Sequence, residues 1–146
     1  MAKAAAKKGD QIISDGTSKV WVQPPGAPPP TPISVAFSYK GSIDNGLSSD
    51  VLIMGQPAAT IDSTATNSTP PDQQGAVTSQ GKVVTPFDNI GTIAAGSSTV
   101  LVNGKRAARN DDKAKTWDYS TPPSPGTARE VENARVEAAG SVLIGE

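Results

Sequence analysis

The sequence contains no cysteine and no histidine among its 146 residues. Structural zinc sites almost always use thiolate or imidazole ligands, so the usual zinc site cannot be assembled from this chain. General acid or base catalysis near neutral pH most often uses histidine, and a nucleophilic serine needs an activating base. Neither a Ser-x-x-Lys spacing nor a nucleophile elbow is present. We therefore predict no catalytic residues, no cofactor and no metal ligands.

Aromatic residues, long apolar runs and an excess of one charge are also lacking. Six residues are aromatic, and no apolar run approaches the roughly eighteen residues that span a bilayer. The net charge of −1, with both signs interspersed, argues against a nucleic-acid partner, which needs a clustered basic face. The first ten residues lack the apolar core of a secretory signal, so we expect synthesis in the cytoplasm without a signal peptide.

Glycine and proline are abundant, at 14 and 13 residues, and they predict a β body with irregular loops. The length allows one domain, and we predict a single domain over residues 1–146. Loops rich in Pro, Ser and Thr are expected near 23–33, 63–82 and 118–126.

An internal repeat organises the chain. Residues 48–62 and 97–111 are identical at eight of fifteen positions. Each copy reads as a short strand, a two-residue turn at Met54-Gly55 or Asn103-Gly104, and a second strand. The apolar triplets 51–53 and 100–102 are predicted to be strands covered on both sides, so Leu101→Asp should prevent folding.

The chain ends supply a third copy. Residues 138–145 repeat the strand with two residues deleted, and the segment 5–10 parallels 107–112, where the adjacent Asp111 and Asp112 read as turn residues rather than a catalytic pair. Three quasi-equivalent units are thus predicted. One helix is also predicted, over 131–139, because Thr127 and Glu130 have the form of a capping box.

These motifs resemble the PAAR repeat. Ala-Ala-Lys-x-Gly-Asp near the start and the segment 91–105, followed by Arg-Ala-Ala-Arg-x-Asp-Asp, carry the resemblance. It implies a mainly β, small cone-like domain of short strands and hairpins with pseudo-threefold repeats, long loops and one short C-terminal helix. It also implies a structural spike-tip protein of a contractile injection system, such as type VI secretion, an extracellular contractile particle or a phage-tail-like machine.

The implied partner is a trimeric β-helical spike protein, with one copy of this chain per trimer and a transient contact with the target membrane. The protein would cap and sharpen the spike, help to puncture the target membrane, and be delivered or released extracellularly. An effector or cargo adaptor, or a binding module built on the same scaffold, is the alternative function, with an effector or cargo protein as its partner.

One feature of the family is not expected here. Members commonly bind zinc near the apex through histidines and a cysteine, which would fall near Asp15 and Thr116 of this sequence. Asp15 could offer oxygen to a hard cation, but no acidic cluster surrounds it, and a turn at Asp15-Gly16 is the expected structure.

Overall fold

The computed structural model describes residues 2–14, 18–26, 33–84, 89–118 and 129–145. These residues form fifteen β-strands, one α-helix and one 3-10 turn. The strands are β1 (Lys3–Ala4), β2 (Gln11–Ser14), β3 (Lys19–Gln23), β4 (Ile33–Ala36), β5 (Lys40–Asn45), β6 (Leu52–Ile53), β7 (Gln56–Pro57), β8 (Thr64–Asn67), β9 (Lys82–Val83), β10 (Ile90–Ile93), β11 (Leu101–Val102), β12 (Lys105–Arg106), β13 (Lys113–Asp118), β14 (Arg129–Glu137) and β15 (Leu143–Ile144). The helix α1 spans Gly75–Thr78, and the 3-10 turn spans Pro71–Gln73.

Six of these strands close into an antiparallel barrel in the order β10-β13-β14-β2-β5-β8. Each sequence repeat contributes one adjacent pair, namely β2 with β5, β8 with β10, and β13 with β14. The pairs are joined through β14 and β2, β5 and β8, and β10 and β13. The barrel therefore has the three quasi-equivalent units that the sequence repeats predict.

The barrel interior is filled by small and β-branched side chains. Ile12, Ile43, Ile93 and Val136 have no exposed surface, and they pack with alanines from every unit. Tyr39 is the aromatic residue of this cluster, and its hydroxyl donates a 2.6 Å hydrogen bond to the backbone oxygen of Ala65. A narrow barrel filled in this way needs few aromatic residues, in agreement with the composition.

The three units meet in a closed ring of backbone hydrogen bonds. The amide of Ala6 donates to the oxygen of Ala108 at 2.9 Å, that of Ala108 to Ala59 at 3.0 Å, and that of Ala59 back to Ala6 at 3.0 Å. All three alanines are fully buried. The close approach of three backbones leaves room for a methyl group only, because interiors are packed to high density. This ring explains why Ala-Ala recurs in all three units.

Backbone hydrogen bonds around this ring also recur three times. In each unit, the backbone oxygen of the residue that ends a tight turn accepts a hydrogen bond from a backbone amide on a neighbouring barrel strand. The three bonds are Ile43 to Asp10 at 2.7 Å, Ile93 to Ser63 at 2.9 Å and Val136 to Asp112 at 2.9 Å. The pseudo-threefold relation therefore extends from the sequence to individual hydrogen bonds.

The predicted helix over 131–139 is wrong, because most of this segment belongs to strand β14. Burial alternates with period two, with Ala134, Val136 and Ala138 buried and Arg135 and Glu137 exposed. Strand β14 pairs with β13 on one side and β2 on the other, so tertiary pairing overrides a weak helical pattern. Thr127, the first residue of the predicted capping box, lies outside the described residues.

The predicted loops are partly regular structure. Segment 63–82 contains β8, the 3-10 turn and α1, and segment 23–33 begins at the end of β3 and ends at the start of β4. Strands β4, β3 and β9 form a three-stranded sheet, called here the inserted sheet, with its own apolar cluster of Val20, Val22, Phe37 and Val77. Residues 27–32 and 119–128, which include most of the predicted loop 118–126, lie outside the described residues.

The topology separates two ends of the barrel. The segments β6–β7, β11–β12 and β15–β1 precede the first barrel strand of each unit and form two-stranded hairpin-like arms at one end. The inserted sheet arises between β2 and β5 and between β8 and β10, at the opposite end of those strands. We call these the hairpin end and the far end.

Candidate functional site

The hairpin end begins with two tight turns that the sequence predicted. Met54 and Gly55 have φ angles of 52° and 80°, and Asn103 and Gly104 have 51° and 80°. Positive φ at both central residues is the geometry of a type I′ turn, which matches the twist of short antiparallel strands. In the third arm, β15 and β1 are paired as Lys3 with Ile144, with no connecting turn.

The inner side of the three arms forms a second apolar cluster. Ile53, Val102 and Ile144 occupy equivalent positions and are 7, 6 and 8 % exposed. They pack with three fully buried alanines, Ala5, Ala58 and Ala107. This cluster joins the arms into one rigid end.

The outer side of the arms is apolar and exposed. Leu52, Leu101 and Leu143 are 62, 60 and 63 % exposed, and the preceding valines Val51, Val100 and Val142 are 36, 36 and 40 % exposed. These six residues are called the leucine face. Only the third residue of each triplet is buried, because alternation along the two-residue strands β6, β11 and β15 places it on the opposite side from the leucine, and the valine precedes the strand. The prediction that the triplets are covered on both sides is therefore wrong.

Hydrogen bonds between neighbouring arms hold the leucine face. A serine that precedes each arm reaches the turn or chain end of the next arm, in cyclic order. The three bonds are Ser48 Oγ to Asn103 Oδ1, Ser97 Oγ to the Gly145 oxygen at 3.0 Å, and Ser141 Oγ to Met54 Sδ at 3.8 Å. Asn103 also donates from Nδ2 to Asp50 Oδ2 at 2.8 Å. The face is therefore positioned before any partner binds.

A side-chain cap closes the tight turn beneath each arm. In all three units the backbone amide at the start of the turn donates to a side-chain oxygen three residues later, an arrangement typical of capped turns. The bonds are Lys7 N to Asp10 Oδ2 at 3.0 Å, Thr60 N to Ser63 Oγ at 3.0 Å and Arg109 N to Asp112 Oδ2 at 2.7 Å.

Two of these caps are also ion pairs. Arg109 Nη2 lies 2.9 Å from Asp112 Oδ1, with side chains 11 and 4 % exposed, and Lys7 Nζ lies 3.1 Å from Asp10 Oδ1. Arg109 additionally donates from Nη1 to the Gly145 oxygen at 2.9 Å, which ties the turn to the third arm. Asp111 is exposed in the turn at φ 68°, so Asp111 and Asp112 are turn residues, as predicted.

The far end carries a polar cluster. Ser18 and Thr116 are 0 and 1 % exposed, and Asn133 lies beside them. Asn133 Nδ2 donates to Ser18 Oγ at 2.8 Å, Thr116 Oγ1 donates to Asn133 Oδ1 at 2.6 Å, and the two hydroxyl oxygens are 2.9 Å apart. Sequence reasoning singled out Thr116 but not its partners, which are 98 and 17 residues away.

This cluster does not fit the zinc ion that the family commonly holds near the apex. Its members are neutral hydroxyl and amide groups at hydrogen-bond distance from one another, which are neither the usual ligands of zinc nor spaced around an ion. No group of three or more His, Cys, Asp or Glu residues that could hold a metal ion occurs within the described part of the chain. Asp15 lies outside that part.

Across those same described ranges, no helix combines the length and apolar character needed to cross a bilayer.

The leucine face could have been predicted from the sequence. A leucine stands at the centre of all three apolar triplets, two of which lie two residues before a turn glycine. Strand alternation then places all three leucines on one side.

A closed barrel of three quasi-equivalent units, with an exposed apolar face at one end, defines a class of small, repeat-built β proteins. The family model for the PAAR motif matches residues 38–116, just over half of the chain, and the chain belongs to this family of contractile injection systems. No curated protein matches the sequence. The mainly β architecture is consistent with the small cone-like PAAR fold, as predicted. Membership assigns the chain a role associated with the spike tip.

Proposed function

We propose that this protein caps the end of a trimeric β-helical spike through its leucine face, one copy per trimer, and sharpens the spike that punctures the target membrane. The observation that carries the proposal is the near-equal exposure of Leu52, Leu101 and Leu143, at 62, 60 and 63 %. Three identical chains around an axis present three identical surfaces, so a single cap must offer each of them the same contact. The three equally exposed leucines meet this requirement.

The energetics favour a stable partner on this face. Burial of a leucine that is about three-fifths exposed stabilises a complex by roughly 1–2 kcal/mol, and the three leucines are supplemented by three partly exposed valines. The cyclic serine bonds and the buried cluster beneath the arms hold the face in place, so little ordering entropy opposes binding. A rigid apolar patch of this kind is typical of an interaction site.

The pseudo-threefold symmetry of the barrel and membership of the PAAR family both favour a trimeric spike as the partner. A trimer centred on the axis of the barrel presents each of the three units with the same surface. The end of a β-helical trimer also has three sets of unpaired strand groups, which a cap with three short arms would cover.

The proposed role is mechanical and involves no catalysis by this chain. The carboxylates with the closest cationic partners, Asp10 and Asp112, are engaged in capping turns, and the hydroxyl groups at the far end are engaged with one another. The tip would leave the producing cell with the spike. The effector or cargo adaptor is kept as the alternative, because the inserted sheet has an apolar cluster of its own at the end away from the spike.

Native mass spectrometry of this protein co-expressed with its trimeric spike protein tests the proposal, with the affinity tag on the spike because β1 and β15, the first and last described strands, lie at the hairpin end. A complex of one chain with three spike chains is expected. Leu101→Asp should abolish this complex. Val84→Asp should not, because Val84, which is 46 % exposed, directly follows β9 of the inserted sheet and lies away from the leucine face. Absence of a complex with the unmodified protein, or equal loss in both variants, would overturn the leucine face as the docking site. Copurification of an effector in place of the spike would favour the adaptor function.

A further inference from the structure

The three polar side chains at the far end form a closed hydrogen-bond ring whose direction follows from counting protons. Thr116 has one hydroxyl proton and donates it to Asn133 Oδ1 at 2.6 Å. The 2.9 Å contact between Ser18 and Thr116 must then use the proton of Ser18. Asn133 donates in turn to Ser18 at 2.8 Å, so each residue donates once and accepts once.

This ring joins parts of the chain that the backbone does not connect locally. Thr116 lies in β13 and Asn133 in β14, whereas Ser18 immediately precedes β3 of the inserted sheet. The ring borders the apolar cluster of the inserted sheet, which includes Val20, two residues after Ser18, and Trp117, next to Thr116. It is therefore positioned to fasten the inserted sheet to the barrel.

A closed ring of this kind is stabilising out of proportion to its size. Hydrogen bonds in a chain polarise one another, and a buried ring leaves no donor or acceptor of its bonding set unsatisfied. Removal of one member leaves buried polar groups without partners, which costs more than the loss of one bond. Ser18 and Thr116 are nearly inaccessible to water, so solvent cannot replace a missing partner without rearrangement.

We propose that this ring of neutral side chains, rather than a metal ion, locks the far end of the protein, so that chelators do not loosen it. The inference is independent of the spike-docking proposal, because the ring lies at the opposite end from the leucine face. Its functional consequence is a tip that needs no metal loading and cannot lose its lock by metal exchange outside the cell.

The first test combines metal analysis with thermal unfolding of the full-length protein, with and without EDTA. The expected result is substoichiometric zinc, and other metals likewise, together with an unchanged Tm. Stoichiometric metal whose removal lowers Tm would overturn the proposal.

The second test uses Thr116→Val, which keeps the shape and removes the hydroxyl group. Its Tm should fall by about 5–10 °C, because the Ser18 hydroxyl loses its acceptor and Asn133 Oδ1 loses the Thr116 donor. The matched control is Thr66→Val on the exposed face of β8, expected to change Tm by less than about 2 °C. Equal effects of the two substitutions would overturn the role of the ring.

A third measurement covers the case in which Thr116→Val does not fold. In the unmodified protein, nuclear magnetic resonance should detect slowly exchanging hydroxyl protons of Ser18 and Thr116, and Thr116→Ser should retain them with a small change in Tm. Rapid exchange of both hydroxyl protons in the folded protein would contradict a closed ring. Binding of the Thr116→Ser variant to the spike is measured in parallel. A complex that still forms shows that the result on the ring does not bear on the docking proposal.

Discussion

The hairpin end and the far end of the barrel differ in symmetry although they belong to the same three repeats. At the hairpin end, equivalent leucines, valines, alanines and turn caps recur in all three units. At the far end, an inserted sheet and a single polar ring connect the units unequally. A surface that meets a symmetric partner must keep its three copies alike, whereas the opposite end has no such constraint. The comparison therefore separates the leucine face, the proposed docking surface, from the part of the fold in which the three units differ.

The largest expected effect distinguishes two neighbouring residues of one arm. Val102→Asp should unfold the protein, because Val102 is 6 % exposed and an unpaired buried charge costs several kcal/mol. Leu101→Asp should remain folded, because Leu101 is 60 % exposed. Circular dichroism and thermal melting of both variants provide the measurement. An unfolded Leu101→Asp variant would mean that the leucine points inward.

The turn caps should differ in strength between units. Asp112→Ala should reduce the free energy of unfolding by about 3–5 kcal/mol, because it removes the carboxylate that neutralises the Arg109 guanidinium, 11 % exposed, and the cap on the Arg109 amide. Ser63→Ala, at the equivalent position of another unit, removes a neutral cap and should reduce it by about 1–2 kcal/mol. Denaturant unfolding measures both changes. Glu130→Gln is the control, with an expected change below about 0.5 kcal/mol, because its pair with Lys115 is exposed.

The leucines of the three units should contribute alike to spike binding. Leu52→Ala, Leu101→Ala and Leu143→Ala should each weaken the affinity about tenfold, since each removes roughly 1–2 kcal/mol of apolar burial. Calorimetric titration against the spike trimer measures the three affinities, with Val84→Ala as the control. One leucine whose loss leaves the affinity unchanged would show that the partner does not meet the face with threefold symmetry.

The smallest expected effect concerns the two turns. Met54→Asn should raise the free energy of unfolding by about 0.5–1 kcal/mol, because asparagine tolerates the positive φ of 52° better than methionine. The reciprocal Asn103→Met should lower it by more than that, because Asn103 also donates to Asp50. Denaturant unfolding is again the measurement, and a destabilised Met54→Asn variant would contradict strain at this turn.

Much of the hairpin end could be predicted from the sequence because its signals are local. The doublet Asn103-Gly104 predicted a hairpin turn, and its positive φ angles are those of a type I′ turn. The adjacent Asp111 and Asp112 predicted a second turn, and the structure adds that the Asp112 side chain caps it. Positive φ, side-chain size and a bond over three residues depend on neighbours in the chain. The three units and the family followed from these features.

Other features could not be predicted because their causes are distant in sequence. The segment 131–139 has a capping signal and a weak apolar stripe, yet it pairs with β13 and β2 as a strand. Asn133 donates a hydrogen bond to Ser18, which is 115 positions away in sequence.

Local chemistry in the sequence was enough to predict a repeated, mainly β protein with tight turns, and the composition excludes a histidine or cysteine site. Tertiary structure determined which side of each apolar triplet is buried, the strand identity of β14, and the ring at the far end. The physical reason is that burial and hydrogen-bond partners at these positions are set by other units of the barrel. Those units come into contact only when the three repeats close on one another.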